Sequence, residues 1–152
     1  MLETGHIVLN PKADDRNVFV SDTEIAEYIQ MSDIAISATS GEGFGLLNIE
    51  APACQVPVIA TGFTTTQELL VDEYEGIGPR GISVPYDAVV THSFNTSHAY
   101  VNIPKFVEAI TFLEQNPSVR EGMGKNGRKF VTKFTNWELL VEQWKEVIKD
   151  IC

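Results

Sequence analysis

SATSGEGFGLLNIEAPACQVPVIAT, Ser37 to Thr61, decides how this 152-residue chain is read. It leaves an apolar segment through glycines at 41, 43 and 45, enters a mostly apolar stretch, and exits through Val-Pro-Val-Ile-Ala. Asp33–Ser37 reads as a buried strand, about Gly45–Gln55 as a helix, and Val56–Thr61 as a second buried strand. Strand, tight turn, helix and strand in that order make a βαβ unit, the building block of a parallel sheet. Ligands of such sheets bind beyond the carboxyl ends of the strands, so Ala38–Gly45 falls at the binding edge.

Upstream, His6–Asn10 and Asn17–Val20 read as short strands around a polar turn, PKADDR. Ser21 followed by Glu24 is a capping box, opening a helix with Ile25, Tyr28 and Ile29 on one face. Downstream, GISVPY (Gly81–Tyr86) is one more strand, and Asp87–Val101 reads as a long irregular polar loop. Three helices close the chain: about Pro104–Gln115, about Ser118–Phe134 with a break expected near Gly122, Gly124 or Gly127, and about Asn136–Ile151. The expected architecture is a single α/β domain over residues 1–152, its terminal helices spanning 104–151. Trp137, Leu140, Val141, Trp144 and Ile148 recur at helical spacing and are expected to pack on this domain; were they exposed, they would mark a partner surface.

A net charge of −10 argues against nucleic acid as a partner, since phosphate-backbone binding needs a basic face. Lys12, Arg16 and Arg80 are the only cations before residue 101, so an anionic ligand must be met by local dipoles. No apolar run approaches the roughly 18–20 residues that span a bilayer, and the start lacks the pattern of a signal peptide. Two cysteines, Cys54 and Cys152, do not make a disulfide framework, so a reducing cytoplasm is expected and the sequon Asn95-Thr96-Ser97 carries no meaning. His92 and His98, six residues apart in a polar segment, fit no common metal site; no metal is expected.

Two glutamates flank the glycine turn. Glycines there let backbone N–H groups approach a ligand, and the helix that follows offers its free N–H groups and positive dipole end to phosphate. Glu50 falls about five residues into the expected helix, roughly 7–8 Å along its axis, while Glu42 precedes it. An extended nucleoside diphosphate sugar has the matching layout, with hydroxyls beyond each end of the diphosphate. Read alone, the glycine motif is also an ordinary tight turn, and Glu42 an ordinary solvated carboxylate. Glu50 lies in a largely apolar helix, where a carboxylate is costly unless something pairs with it.

Glu42-Gly43-Phe44-Gly45-Leu46, then Glu50-Ala51, then Val56-Pro57-Val58-Ile59-Ala60 closely resemble the donor-site signature of retaining GT-B glycosyltransferases of family 4. Asn17–Ser21, Thr61–Leu70 and the Gly127-Arg128-Lys129-Phe130, Phe134 and Trp137 series look similar to the C-terminal domain of that family. The resemblance implies a Rossmann-like parallel sheet flanked by helices, the C-terminal half of a GT-B fold without its first strand–helix elements. It implies that Glu42, the candidate catalytic residue, contacts the donor sugar. Gly43, Phe44, Gly45 and Leu46 would meet sugar and phosphate through backbone N–H groups, Glu50 would hold the ribose, and Thr64–Thr66 would stand where a loop closes over the diphosphate. Thr64 and Thr65 join the donor-binding set; no cofactor is implied beyond the nucleotide-sugar substrate, such as a UDP- or GDP-sugar.

The sequence departs from the family pattern in four places. Gln55 stands where a glycine is usual, Thr64-Thr65-Thr66 replace a glycine-rich loop, and Pro52 interrupts the helix, where a kink is expected. The chain also begins after the elements that carry a diphosphate-binding arginine and lysine, and Lys12 and Arg16 are explained equally by a turn. The expectation is a fragment or a naturally reduced protein, inactive in transfer by itself and completed by an N-terminal acceptor-binding domain or partner chain. Any membrane association would be peripheral and belong to the full enzyme. Two functions stay open at this point: the donor-binding half of a hexosyltransferase, or a non-catalytic nucleotide-sugar-binding or assembly module. An epimerase is disfavoured, because no acid–base pair is visible.

Overall fold

A computed structural model describes residues 20–93 and 95–151. Residues His6–Asn10 and most of Asn17–Val20, expected as strands, and Lys12 and Arg16 lie outside that range. The described part opens with α1 (Asp22–Gln30), β1 (Ala35–Ser37), α2 (Leu47–Ala53), β2 (Val58–Thr61), α3 (Thr66–Leu70) and β3 (Gly81–Val84). There follow β4 (Tyr86–Thr91), β5 (Ser97–Val101), α4 (Ile103–Gln115), α5 (Pro117–Phe134) and α6 (Trp137–Ile151). No described helix is long and apolar enough to cross a membrane.

The capping box at Ser21 is formed in both directions, Ser21 Oγ accepting from the Glu24 N–H and the Glu24 carboxylate from the Ser21 N–H. β1, β2 and β3 form a parallel sheet in that order, with Ala35 beside Val58 and Val58 beside Gly81. Every residue of the central β2 is buried, which is why it reads as an uninterrupted apolar run. Its alternation divides the core. Val58 and Ala60 pack with Ala51, Val56 and Leu70 on one face; Ile59 packs with Phe106, Ala109 and Leu113 on the other. A third cluster joins α3 to α5 through Leu69, Ile77, Phe130 and Val131. The observed fold is thus an α/β sheet with helices on both faces, as expected.

Four expectations need correction. The helix after the glycine turn ends at Ala53 rather than Gln55, so Pro52 sits in its last turn, where the ladder is about to stop. Asp87–Val101 is no irregular loop but the bulk of an antiparallel ribbon, Val89 opposite Ala99 and Thr91 opposite Ser97. Its strands are carried by β-branched and aromatic residues that the surrounding polar residues disguise, and Asn95 turns between them at φ 57°.

α5 is unbroken despite Gly122, Gly124 and Gly127. Two of those glycines serve close approach instead: an added Cβ at Gly124 would stand 2.0 Å from the Gln55 carbonyl oxygen, and one at Gly127 2.8 Å from Pro52 Cβ. Finally, α6 does not bury its apolar stripe on the described domain. Trp137 is 78% exposed and Trp144 65%. Amphipathic spacing identifies a face that wants a partner but not which body supplies it.

Gln55, the residue in place of the usual glycine, adopts φ 63°. It is the left-handed residue that ends α2: its N–H donates to the Pro52 carbonyl and the Val56 N–H reaches back to Ala51. A side chain in that conformation costs energy that glycine avoids. Gln55→Gly is therefore expected to stabilise the protein by about 0.5–1 kcal/mol after the entropy cost of glycine is subtracted. A urea melt should show a raised midpoint with an unchanged slope.

Candidate functional site

β1 and β2 run parallel, so Ser37 and Thr61 end at the same edge of the sheet. The chain leaving Ser37 forms the glycine turn, and the chain leaving Thr61 forms the threonine turn. Hydrogen bonds join the two turns. The Glu42 N–H donates to Thr64 Oγ1 at 3.1 Å, and Thr65 Oγ1 donates to the Phe44 carbonyl at 2.8 Å. Thr64 Oγ1 also donates to its neighbour Phe63, and its backbone sits at φ 57°, a conformation suited to the glycine it replaces. Residues twenty-odd positions apart in sequence thus form one surface.

Gly45 closes the turn at φ 85°, and a Cβ there would stand 2.8 Å from the Asn48 amide nitrogen. Leu46 then caps α2 without a side-chain cap. Among the described residues, the backbone N–H groups of Gly43, Phe44, Gly45, Leu46 and Leu47 have no protein acceptor. Phe44 and Leu46 themselves are exposed. The arrangement is a short row of unpaired donors at a helix start, suited to oxygen-rich or anionic groups. Two buried side-chain oxygens, Asn48 Oδ1 and Thr61 Oγ1, also lack partners, and both belong to the segments that lead into or out of this edge. Such atoms require water or a ligand.

Glu50 is the fourth residue of α2, about 6 Å from the cap rather than the 7–8 Å expected from a longer helix. It is half-buried between α1 and α2, where two adjoining apolar grooves of about 180 and 380 Å³ share Ile25, Ile29 and Glu50. No described side chain hydrogen-bonds or ion-pairs with the carboxylates of Glu42 or Glu50. Both therefore remain available as acceptors for hydroxyl groups.

Arg80, the one described cation among the first hundred residues, is not available to a ligand. It is fully buried, donates to the carbonyls of Glu68, Leu69 and Asp72, and lies 4.1 Å over the Phe130 ring. Burial pulls its guanidinium below the usual value, and Asp72 opposes that shift. Nor do the described residues hold any group of three or more histidines, cysteines and carboxylates placed for a metal ion. His92 and His98 do meet, edge to face at 4.9 Å, across the ribbon.

The ribbon is the part of this region that the sequence concealed. The Ala99 N–H donates to the Ser40 carbonyl at 2.7 Å, and His98 Nδ1 lies 3.1 Å from Ser40 Oγ. Tyr86 meets Phe63 edge-on, with ring centres 5.4 Å apart. The β-branched run Val89-Val90-Thr91 and the Tyr100-Val101 pair were the signal that could have revealed it.

A parallel sheet with a donor-lined turn beyond its strand ends is the arrangement at which α/β domains place their ligand sites. Residues 18–130 match the family of glycosyl transferases group 1, and the chain belongs to it. The fold is that of GT-B glycosyltransferases of the family 4 type: sucrose-phosphate synthase from Thermosynechococcus elongatus superposes with a TM-score of 0.62 at 26% identity, over 82% of this chain and 26% of that one.

Among relatives, an uncharacterized glycosyltransferase of Methanocaldococcus jannaschii is 28% identical over 84% of this chain and 31% of its own length. Alpha-maltose-1-phosphate synthase of Mycobacterium tuberculosis is 23% identical, over 85% of this chain and 30% of its own. The capsular polysaccharide biosynthesis glycosyltransferase CapM of Staphylococcus aureus is 32% identical, over 78% of this chain and 27% of its own. The chain thus spans less than a third of the length of these relatives.

Proposed function

We propose that this chain is the nucleotide-sugar-binding portion of a retaining glycosyltransferase that moves a hexose from a nucleoside diphosphate sugar to an acceptor. The observation that carries the reading is the row of unpaired N–H groups from Gly43 to Leu47, flanked by the unpaired carboxylates of Glu42 and Glu50. A diphosphate at the N–H row would place sugar hydroxyls near Glu42 and ribose hydroxyls near Glu50, with the base along the apolar grooves beside Ile25 and Ile29. In transfer, charge grows on the departing diphosphate, and oriented N–H groups stabilise that charge without reorganising. No side-chain nucleophile is assigned; the acceptor, held by an N-terminal domain or partner chain, attacks from the side of the leaving group.

Gln55 and Thr64–Thr65 are among the features that favour the alternative, a non-catalytic module. Gln55 and Thr64 both occupy left-handed conformations that glycine would adopt, so those substitutions leave the loop paths intact. This favours the transferase reading.

Titration calorimetry with UDP, GDP, ADP and their hexose conjugates tests it. One of these bases should bind, and Glu50→Ala should weaken that binding by about ten- to a hundredfold, the range of hydrogen bonds to a charged group. Absence of binding by all of them, at ligand concentrations up to about 1 mM, overturns the reading.

A further inference from the structure

We propose that the β4–β5 ribbon is a positioning element for the sugar end of the site, and that His98 is its positioning residue. The proposal rests on the donor-binding reading above and concerns how Glu42 is held.

A two-stranded ribbon is marginal in water by itself. This one exposes all of β4 and most of β5; Ala99, 3% exposed, is the buried exception. Val101 packs on the core cluster of Ile59 and Phe106, and the ribbon's other anchors fall on the two turns that make the candidate site. Ala99 and His98 grip Ser40, two residues before Glu42, through the backbone carbonyl and the hydroxyl respectively. Ser97 lies beside Gly41, where an added Cβ would stand 3.9 Å from the Ser97 carbonyl oxygen and 3.5 Å from the Phe63 ring. Tyr86 packs on Phe63, next to the Thr64 whose hydroxyl accepts the Glu42 N–H.

Glu42 is therefore held on two sides, and the ribbon braces both. The exposed glycines 41 and 43 around it have no side chains to fix the path, so external contacts must set where the carboxylate points. Glu50 and the last N–H groups of the row, at Leu46 and Leu47, belong to α2 and its cap, which the ribbon does not touch through any of these contacts. Loss of the His98 contact should consequently be felt at the sugar end and not at the nucleoside diphosphate.

That split gives a readout that general destabilisation would not produce. In calorimetry, His98→Ala should bind the nucleotide sugar about three- to tenfold more weakly, the range of one hydrogen bond, while binding the matching nucleoside diphosphate within about twofold of the parent. His98→Asn, which can still reach Ser40 Oγ, should recover most of the loss.

Amide hydrogen exchange on the ligand-free protein supplies a second arm: His98→Ala should speed exchange at Glu42, whose N–H is held by Thr64 Oγ1, while leaving β2 unchanged. Equal weakening for sugar nucleotide and diphosphate, or unaltered exchange at Glu42, overturns the proposal. Should the parent protein bind neither ligand, the donor-binding reading fails, and the exchange experiment still decides whether His98 positions Glu42.

Discussion

Arg80→Met is expected to cost about 3–5 kcal/mol of unfolding free energy, because one buried side chain serves the whole C-terminal end of α3. The last carbonyls of a helix have no partner within it. Here the Arg80 N–H takes Leu70, Nε takes Leu69 and Nη2 takes Glu68, each at 2.8 Å, while Nη1 takes Asp72 just beyond the helix. Methionine fills a similar volume but leaves four carbonyls, of Glu68, Leu69, Asp72 and Gly78, without their side-chain donor, and it loses the stacking on Phe130. Arg80→Lys keeps the charge but offers no planar fork, so it should recover less than half of the loss. Urea unfolding with a constant slope measures both variants. A cost below about 1 kcal/mol for methionine would show that water satisfies these carbonyls.

The consequence reaches the site, because α3 begins at Thr66, directly after Thr64 and Thr65. A loosened α3 would carry those hydroxyls away from Glu42 and Phe44. Arg80 would then act on ligand binding at a distance, and its effect on affinity should persist at temperatures where each variant is fully folded, unlike an effect of unfolding alone.

What could be read from sequence followed from local chemistry. The βαβ run from Asp33 to Thr61 announces itself because a fully buried strand must be apolar throughout and a tight turn needs glycine. Ser21 and Glu24 cap α1 over three residues, so their pattern is visible in any short window. The placement of Thr64 and Thr65 beside the glycine turn followed from the family resemblance, since both turns leave adjacent parallel strands.

Arg80 was visible as a cation but not as a cap, because its partners are backbone carbonyls that carry no sequence signal. The ribbon was hidden for a related reason. Its strands face solvent on both sides, so no apolar alternation separates an inner from an outer face, and its anchors on Ser40 and Phe63 are distant in sequence. The stripe on α6 was legible as a stripe; what it packs against is a property of other surfaces.

Gly124→Ala is the sharpest test of the packing that supports α2, and Gly122→Ala in the same helix is its control. Both changes add one methyl to α5 and both improve intrinsic helix propensity, by about 1 kcal/mol in an exposed position. Around Gly122 there is nothing within 4 Å of the added carbon, so that gain should appear as increased stability. At Gly124 the same carbon would stand 2.0 Å from the Gln55 oxygen and 2.9 Å from its carbonyl carbon. Backbone cannot rotate aside as a side chain can. Either α5 must lift or the turn through Gln55 must open, and that turn leads into the central strand.

Lifting α5 also draws Phe130 and Val131 out of the cluster they share with Leu69. The expected loss is about 3 kcal/mol or more, at the upper end for overpacking, so the two alanine variants should move the melting temperature in opposite directions. A shift of the same sign in both would mean that α2 and α5 do not meet at this distance. The glycines that sequence suggests as helix breakers would then be tolerated rather than required.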